Sequence, residues 1–393
     1  MLAKEIRLRR RVGRARLLLL VGLGLSACRG DAPAEGAAWV AFVVYDAGET
    51  LGLLPVVDKL RAQGIDVRWV PLTPWSADLL VANGQDFLML PDDIAEMGHV
   101  AAREAEADMA YWEEALASHP PALAVSGVVS TVQAQLGRWF EDAGIPARGF
   151  HDGFQPPGFE SIEAQTASAF QELWAPTTRV RDAFLALGIP AVLAGQPTLE
   201  AWRSTSEEVE VDEVRRRLGV GGDERILLFA GQYGPGYEEV LGWFLDGMEA
   251  VLRADSSLAL ILSHHPRTNG EVERRALDRS GLPGPVVAPE GMSTMETAVP
   301  AEVIITWTST VGAQAAFLGK PVVYFSPPPE FDTHLVERGL AFRADEETLG
   351  PVLTQALGQV RSPESIRETL VGSGYVLDAD SVMADLILKA ISG

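Results

Sequence analysis

Short apolar runs rich in β-branched residues recur along this chain, and several give way to a helical pattern that closes on a glycine. Residues 39–45 (WVAFVVY) form the first such run. It has no polar interruption, as a parallel strand buried on both faces requires. A helical pattern over 51–63 follows and ends at Gly64 as a C-cap. Strands are then expected at 66–70, 86–90 and 122–126, with helices at 73–83 and 96–118 and from Gly127 to residue 143. Residues 173–175 and 190–194 give two further short strands around a helix ending near Gly188. Strands that alternate with helices at this spacing specify a doubly wound α/β sheet.

The alternation pauses over the polar stretch 202–208, read as the domain crossing, and then restarts. Strands are expected at 225–230, 258–262, 286–287, 303–306 and 322–325, with helices up to residue 253 and over 309–318. Everything after Pro327-Pro-Pro329 reads as helical, at 346–358, 363–370 and 381–391. The chain thus divides into a leader (1–27), a tether (28–37), a first Rossmann-like domain (38–203), a second (204–375) and a terminal helix (376–393). At 393 residues it is long enough for two full cores.

Charge narrows the function. The formal net charge is −22, and seven basic residues and one acid give the first 27 residues +6, leaving −28 on the rest. A body this acidic is ill suited to wrapping nucleic acid or lying on anionic lipid.

The leader is basic up to Arg16, then apolar over residues 17–27 (LLLLVGLGLSA). Eleven apolar residues are too few for a bilayer span, which needs ~20 as a helix, and fit a signal-peptide core. The run ends Leu25-Ser26-Ala27-Cys28, and Cys28 is the only cysteine. This resembles the lipobox of bacterial lipoproteins, which implies lipidation at Cys28, a membrane anchor and a place in the cell envelope, on its periplasmic or outer-membrane side. Arg29 stands where the inner-membrane retention signal would have Asp.

Ligands of open parallel sheets bind beyond the carboxyl ends of the strands. At those positions the first half offers Asp46-Ala-Gly48-Glu49-Thr50, Gly127 and His151-Asp152-Gly153. Glu49 and His151 are candidate catalytic groups, as a general base or its partner. A first-turn helix glutamate and an ordinary turn are the plain structural alternatives. The second half offers the glycine turn Gly231-Gln232-Tyr-Gly-Pro-Gly236, then His264-His265-Pro266-Arg267, then Thr306-Trp-Thr-Ser309-Thr310. Hydroxyls, imidazoles and a guanidinium suit a phosphate, while Ser309 and Thr310 equally suit a helix cap. Asp92-Asp93 and Asp378-Ala-Asp380 read as caps. Six histidines, one cysteine and no HExxH spacing point to no metal site, and the nucleophile elbow GxSxG is absent.

Residues 301–324 (AEVIITWTSTVGAQAAFLGKPVVY) resemble the GT-B fold shared by nucleotide-sugar glycosyltransferases and UDP-N-acetylglucosamine 2-epimerase. Leu187-Gly-Ile-Pro190 with Gly195-Gln-Pro-Thr198, and residues 226–232 with His265-Pro266-Arg267, are similar in order and spacing. The resemblance implies two Rossmann-like domains facing across a cleft, with a C-terminal helix returning to the first. It implies a nucleotide-sugar or sugar-phosphate ligand contacted by Gly231, Gln232, His264, His265, Arg267, Ser309 and Thr310, with Glu290 or Glu296 at the ribose. It places a glycan or lipid acceptor near Gly48, Glu49 and Gly127, and it implies no cofactor. The epimerase-type cluster of acids and histidines is not recognisable in this sequence. Two other classes stay open: a non-catalytic GT-B lipoprotein, and a solute-binding lipoprotein of an ABC transporter, whose chain would cross between domains two or three times.

Overall fold

The computed structural model describes residues 38–88, 103, 109–117, 119–158, 161–265, 268–282, 284–331, 334–359 and 361–392. The leader, the tether, Cys28, Asp92-Asp93 and Arg267 lie outside these residues.

The first domain is a parallel sheet of six strands: β1 (Trp39–Val44), β2 (Asp66–Pro71), β3 (Leu123–Gly127), β4 (Ala147–Phe150), β5 (Glu172–Ala175) and β6 (Ala191–Leu193), in the order β2-β1-β3-β4-β5-β6. Every residue of β1 is buried, since it pairs with β2 on one side (Val40 opposite Val67) and β3 on the other (Val40 opposite Leu123). Its alternate side chains feed two cores: Val40, Phe42 and Val44 pack with Trp69 and Trp174, whereas Ala41 and Val43 pack with Phe140 and Phe184.

The second domain repeats the plan with β7 (Arg225–Ala230), β8 (Leu258–Ser263), β9 (Val286–Val287), β10 (Ala301–Thr306), β11 (Val322–Phe325) and β12 (Ala341–Ala344), ordered β12-β11-β10-β7-β8-β9 and again all parallel. The Thr198–Glu208 helix carries the chain between the sheets. The Ala379–Ser392 helix comes back to pack on the first helix of the first domain, Ala47–Ala62. This is the α/β architecture expected from the alternation, with the returning helix that the GT-B resemblance implied.

Four details depart from the sequence reading. The 51–63 helix starts one turn earlier, at Ala47, because the Asp46 carboxylate accepts hydrogen bonds from Gly48 N and Glu49 N and caps it. Strand β12 stands in the region read as wholly helical, and β4 was not expected. Each has four residues, one of them an arginine (Arg148, Arg343), so neither shows the apolar run that marks the central strands. The expected strand at 86–90 contributes, among described residues, one bridge from Phe87 to Trp69. The polar 202–208 stretch, read as the domain crossing, does lie in the helix that runs between the sheets, its Trp202 buried against the second domain. Among the described residues no helix is long and apolar enough to cross a membrane.

Candidate functional site

In each sheet the strand order reverses once, between β1 and β3 and between β7 and β10. A crevice opens at the carboxyl ends of such strand pairs because the connections leave in opposite directions. The two crevices face each other: Phe154 and Gln155, just after β4, share a small pocket with Thr308, Ser309 and Thr310, just after β10. Phe154 also packs against Tyr375, their ring centroids 5.5 Å apart.

The first crevice is built around the side chain of Glu49. Asp46 caps the helix, so Glu49 falls in its first turn and is driven inward, with no exposed surface. Its Oε2 accepts from Tyr45 N at 2.7 Å and from Gln133 Nε2 at 2.8 Å. The Gln133 amide cannot turn over, because its Oε1 already accepts from Val129 N and Ser130 N as part of a capping box. Oε1 of Glu49 has no partner and lies against Gly127, where a β-carbon would come within 1.6 Å of it. Gly127 is therefore glycine because Glu49 occupies the place of its side chain. Gly48 plays the same part for Asp152, whose Oδ2 would lie 1.8 Å from a β-carbon there. Three carboxyl groups, Asp46, Glu49 and Asp152, thus converge at the start of one helix. Burial, with the charges of Asp46 and Asp152, drives the Glu49 carboxyl well above the usual range and outweighs its two donors. Asp152, half-buried, keeps part of its surface open.

His151 is buried beside Phe184 at 5.3 Å, with Nε2 3.3 Å from the Gln155 carbonyl and Nδ1 unpartnered. Burial lowers its pKa, against the pull of Glu163 and the Gln155 carbonyl, so the ring is neutral.

The second crevice is made of amides, hydroxyls and glycine. Gly231 follows β7, and a β-carbon on it would stand 2.2 Å from the Ser263 carbonyl oxygen. Beneath it the Tyr237 hydroxyl donates to Glu273 Oε1 at 2.7 Å, both residues buried. Gly234 and Gly236 take positive φ (102° and 83°), which lets the turn enter the Tyr237–Ala254 helix. Gln232 spans the switch point: its Nε2 donates to Thr308 Oγ1 at 2.8 Å and its Oε1 accepts from Thr308 N at 3.3 Å. Ser309 Oγ accepts from Val311 N, and Thr310 is exposed without a capping bond. Tyr233 leans on His265, ring centroids 4.5 Å apart, and His264 is half-buried with Nδ1 unpartnered.

The structure gathers Gly48, Glu49, Gly127 and His151 at one sheet edge and Gly231, Gln232, His264, His265, Ser309 and Thr310 at the other. Glu296 is occupied in a capping box with Ser293 and faces Arg217 at 3.7 Å, and Glu290 is exposed in the loop after β9. Asp380 pairs with Lys59 at 3.4 Å, and Asp378 adopts a left-handed φ of 56° just before the last helix. Gln133, Thr308, Tyr237 and Glu273 were not singled out in the sequence. Only Gln133 carried a signal, the Ser130-x-x-Gln133 spacing of a capping box. Among the described residues no group of three His, Cys, Asp or Glu is arranged to hold a metal ion.

No protein-family model matches the sequence, and no curated protein matches it. Solved structures do match the fold. A putative UDP-N-acetylglucosamine 2-epimerase from Listeria monocytogenes superposes with a TM-score of 0.68 at 15% identity, covering 91% of this chain and 96% of that one. The UDP-GlcNAc 2-epimerase from Neisseria meningitidis, solved with UDP-GlcNAc bound, gives 0.68 at 13% identity over 90% and 99% of the two chains. A glycosyltransferase from Rickettsia africae gives 0.61 at 10% identity over 91% and 98%. With two contiguous parallel sheets, opposed switch points and a returning helix, the chain has the GT-B fold.

Proposed function

We propose that this chain binds a nucleotide-activated sugar, or a related phosphorylated donor, in the cleft between its domains and acts as a glycosyltransferase-like protein on envelope or surface glycans. The observation that carries this reading is the opposition of the two switch points across one cleft, Phe154 and Gln155 against Thr308 to Thr310. The likeness to the UDP-GlcNAc-bound epimerase and to the glycosyltransferase supports it.

On this reading the second domain takes the nucleotide. Gly231 lets the backbone approach the ligand, the Gln232–Thr308 pair fixes the two loops, and Ser309 and Thr310 offer hydroxyls to the phosphates. The first domain takes the acceptor. Glu49 and His151 are buried, so they shape that edge, and Asp152 is the carboxylate assigned to the acceptor hydroxyl as base. A lipid on Cys28 would tether the cleft at the membrane, where a lipid-linked acceptor is presented. The solute-binding alternative is disfavoured by connectivity, since each sheet is built from one contiguous stretch of chain.

The test is calorimetric titration of the purified full-length chain with UDP, CDP, GDP and ADP. One nucleotide should bind, the Ser309→Ala/Thr310→Ala variant should weaken it, and Asp152→Asn should bind normally but fail to turn over. No binding of any nucleotide would overturn the reading.

A further inference from the structure

Two segments join the domains: the Thr198–Glu208 helix on the way out and residues 374–379 on the way back. They meet at a cavity of about 160 Å³ lined by Glu200, Arg203, Phe317, Arg367, Leu377 and Asp378. Those six residues come from the outgoing helix, two second-domain helices and the returning strand of chain, so the cavity sits where the domains are hinged. It lies on none of the loops assigned to the nucleotide or the acceptor, and its volume is several times what one water needs.

Its polar lining is only partly spent: the backbone N–H groups of Ala379 and Asp378 approach the Glu200 carboxyl. Glu200 is 5% exposed, yet neither carboxyl oxygen has a hydrogen-bond partner of normal geometry. An uncompensated buried carboxyl is costly, so such a group either stays protonated or waits for a partner. Arg367 makes no ion pair or hydrogen bond among the described residues. Arg203 has one, a 3.4 Å contact to exposed Glu207. Two guanidiniums on separate helices, the exposed Arg367 and the half-buried Arg203, share the wall of this cavity with a buried acid, a set of groups that suits a tetrahedral oxyanion, since guanidinium donates in pairs to such oxygens and a protonated carboxyl donates a third bond.

We propose that this hinge cavity is a binding site for a small oxyanion, a phosphate or sulfate group, held by Arg203 and Arg367 beside the buried carboxyl of Glu200, and that its occupancy ties the two crossing segments together. The site is independent of the nucleotide reading.

The groups around it set its pH dependence. Asp378 lines the cavity, Asp380 faces Glu200 from the returning helix but is paired with Lys59, and Arg203 and Arg367 supply the positive charge. While Glu200 is neutral the cavity carries one net positive charge, and none once it ionises. Burial and the charge of Asp380 push its pKa up to about 7, against the backbone N–H groups of Ala379 and Asp378. Affinity should therefore fall as pH rises through neutrality.

Sulfate is the probe, because its charge does not change across this range. Titrated into the full-length chain at about pH 6 and again at about pH 8.5, it should bind roughly tenfold more weakly at the higher pH. Arg367→Ala should lose it, and Glu200→Gln should keep it without the pH dependence. Hydrogen exchange should slow on sulfate addition in both the 198–208 helix and residues 376–380. The Ser309→Ala/Thr310→Ala variant should bind sulfate as the parent does. Binding that survives Arg367→Ala, protection confined to loops 231–236 and 308–312, or no binding at the lower pH would each overturn the proposal.

Discussion

The two sheet edges that meet in the cleft are built on the same plan and solved with opposite chemistry. In the first domain the switch point is filled by acids. Glu49 lies buried between Gly127, Tyr45 N and the locked amide of Gln133, with Asp46 and Asp152 beside it. In the second domain the switch point is bridged by neutral groups, Gln232 to Thr308, over a glycine that touches the backbone of the neighbouring strand. One edge is positioned by a side chain that displaces a glycine, the other by a carbonyl.

The sharpest way to break the comparison is to add one carbon to each edge. Gly127→Ala and Gly231→Ala should each cost ~3 kcal/mol or prevent folding, since both overfill a packed site. Their rescue should differ. Glu49→Ala removes what a β-carbon at 127 would strike and should recover part of the stability. No side-chain change should rescue Gly231→Ala, whose obstruction is the Ser263 carbonyl. Urea melts of the two single variants and the 49/127 double variant check this. Equal rescue of both would mean that the two edges are alike.

Next in size is the buried acid where the two crossing segments meet, away from both edges. Glu200, raised from 4.5 to about 7, holds its proton when folded at pH values where the unfolded chain has lost it. Its contribution is complete below about 4.5 and is lost as pH rises through about 7, a fall of ~3 kcal/mol over that window. Urea melts from acid to neutral pH should show this decline in the parent and a flatter curve in Glu200→Gln.

Gln232→Ala should cost ~1 kcal/mol in stability, the worth of its hydrogen bonds to Thr308. Its larger effect should be on nucleotide affinity, read by calorimetry, because the loops after β7 and β10 lose their shared anchor. The smallest effect expected at neutral pH is that of Glu49→Gln, under ~1 kcal/mol, because burial favours the protonated acid and the amide that replaces it carries no charge either. The variant should overtake the parent as pH rises, since the parent then pays to ionise a buried carboxyl. A large loss at neutral pH would show that Glu49 is charged and would break the contrast between the edges.

Much of this was readable before any coordinates. The strand segments 39–44, 226–230 and 322–325 are uninterrupted apolar runs because parallel strands covered on both faces leave no position for a polar side chain. The sheet edges were less legible: β4 and β12 are four residues long, contain arginines, and owe their strand geometry to the neighbour they pair with. Of the candidate site, the loops could be named in advance, since they follow the strands. The partners of those loops could not: Glu49 meets Gln133 across 84 positions, and Gln232 meets Thr308 across 76.

By itself, then, the sequence determined the βα alternation, the division into two sheets and the loops that end at the cleft, because hydrophobic period and turn chemistry are local. Only the tertiary structure decided the protonation of Glu49, the need for glycine at 127 and 231, and the hinge cavity around Glu200. Burial and charge proximity depend on which distant segments come to rest against one another.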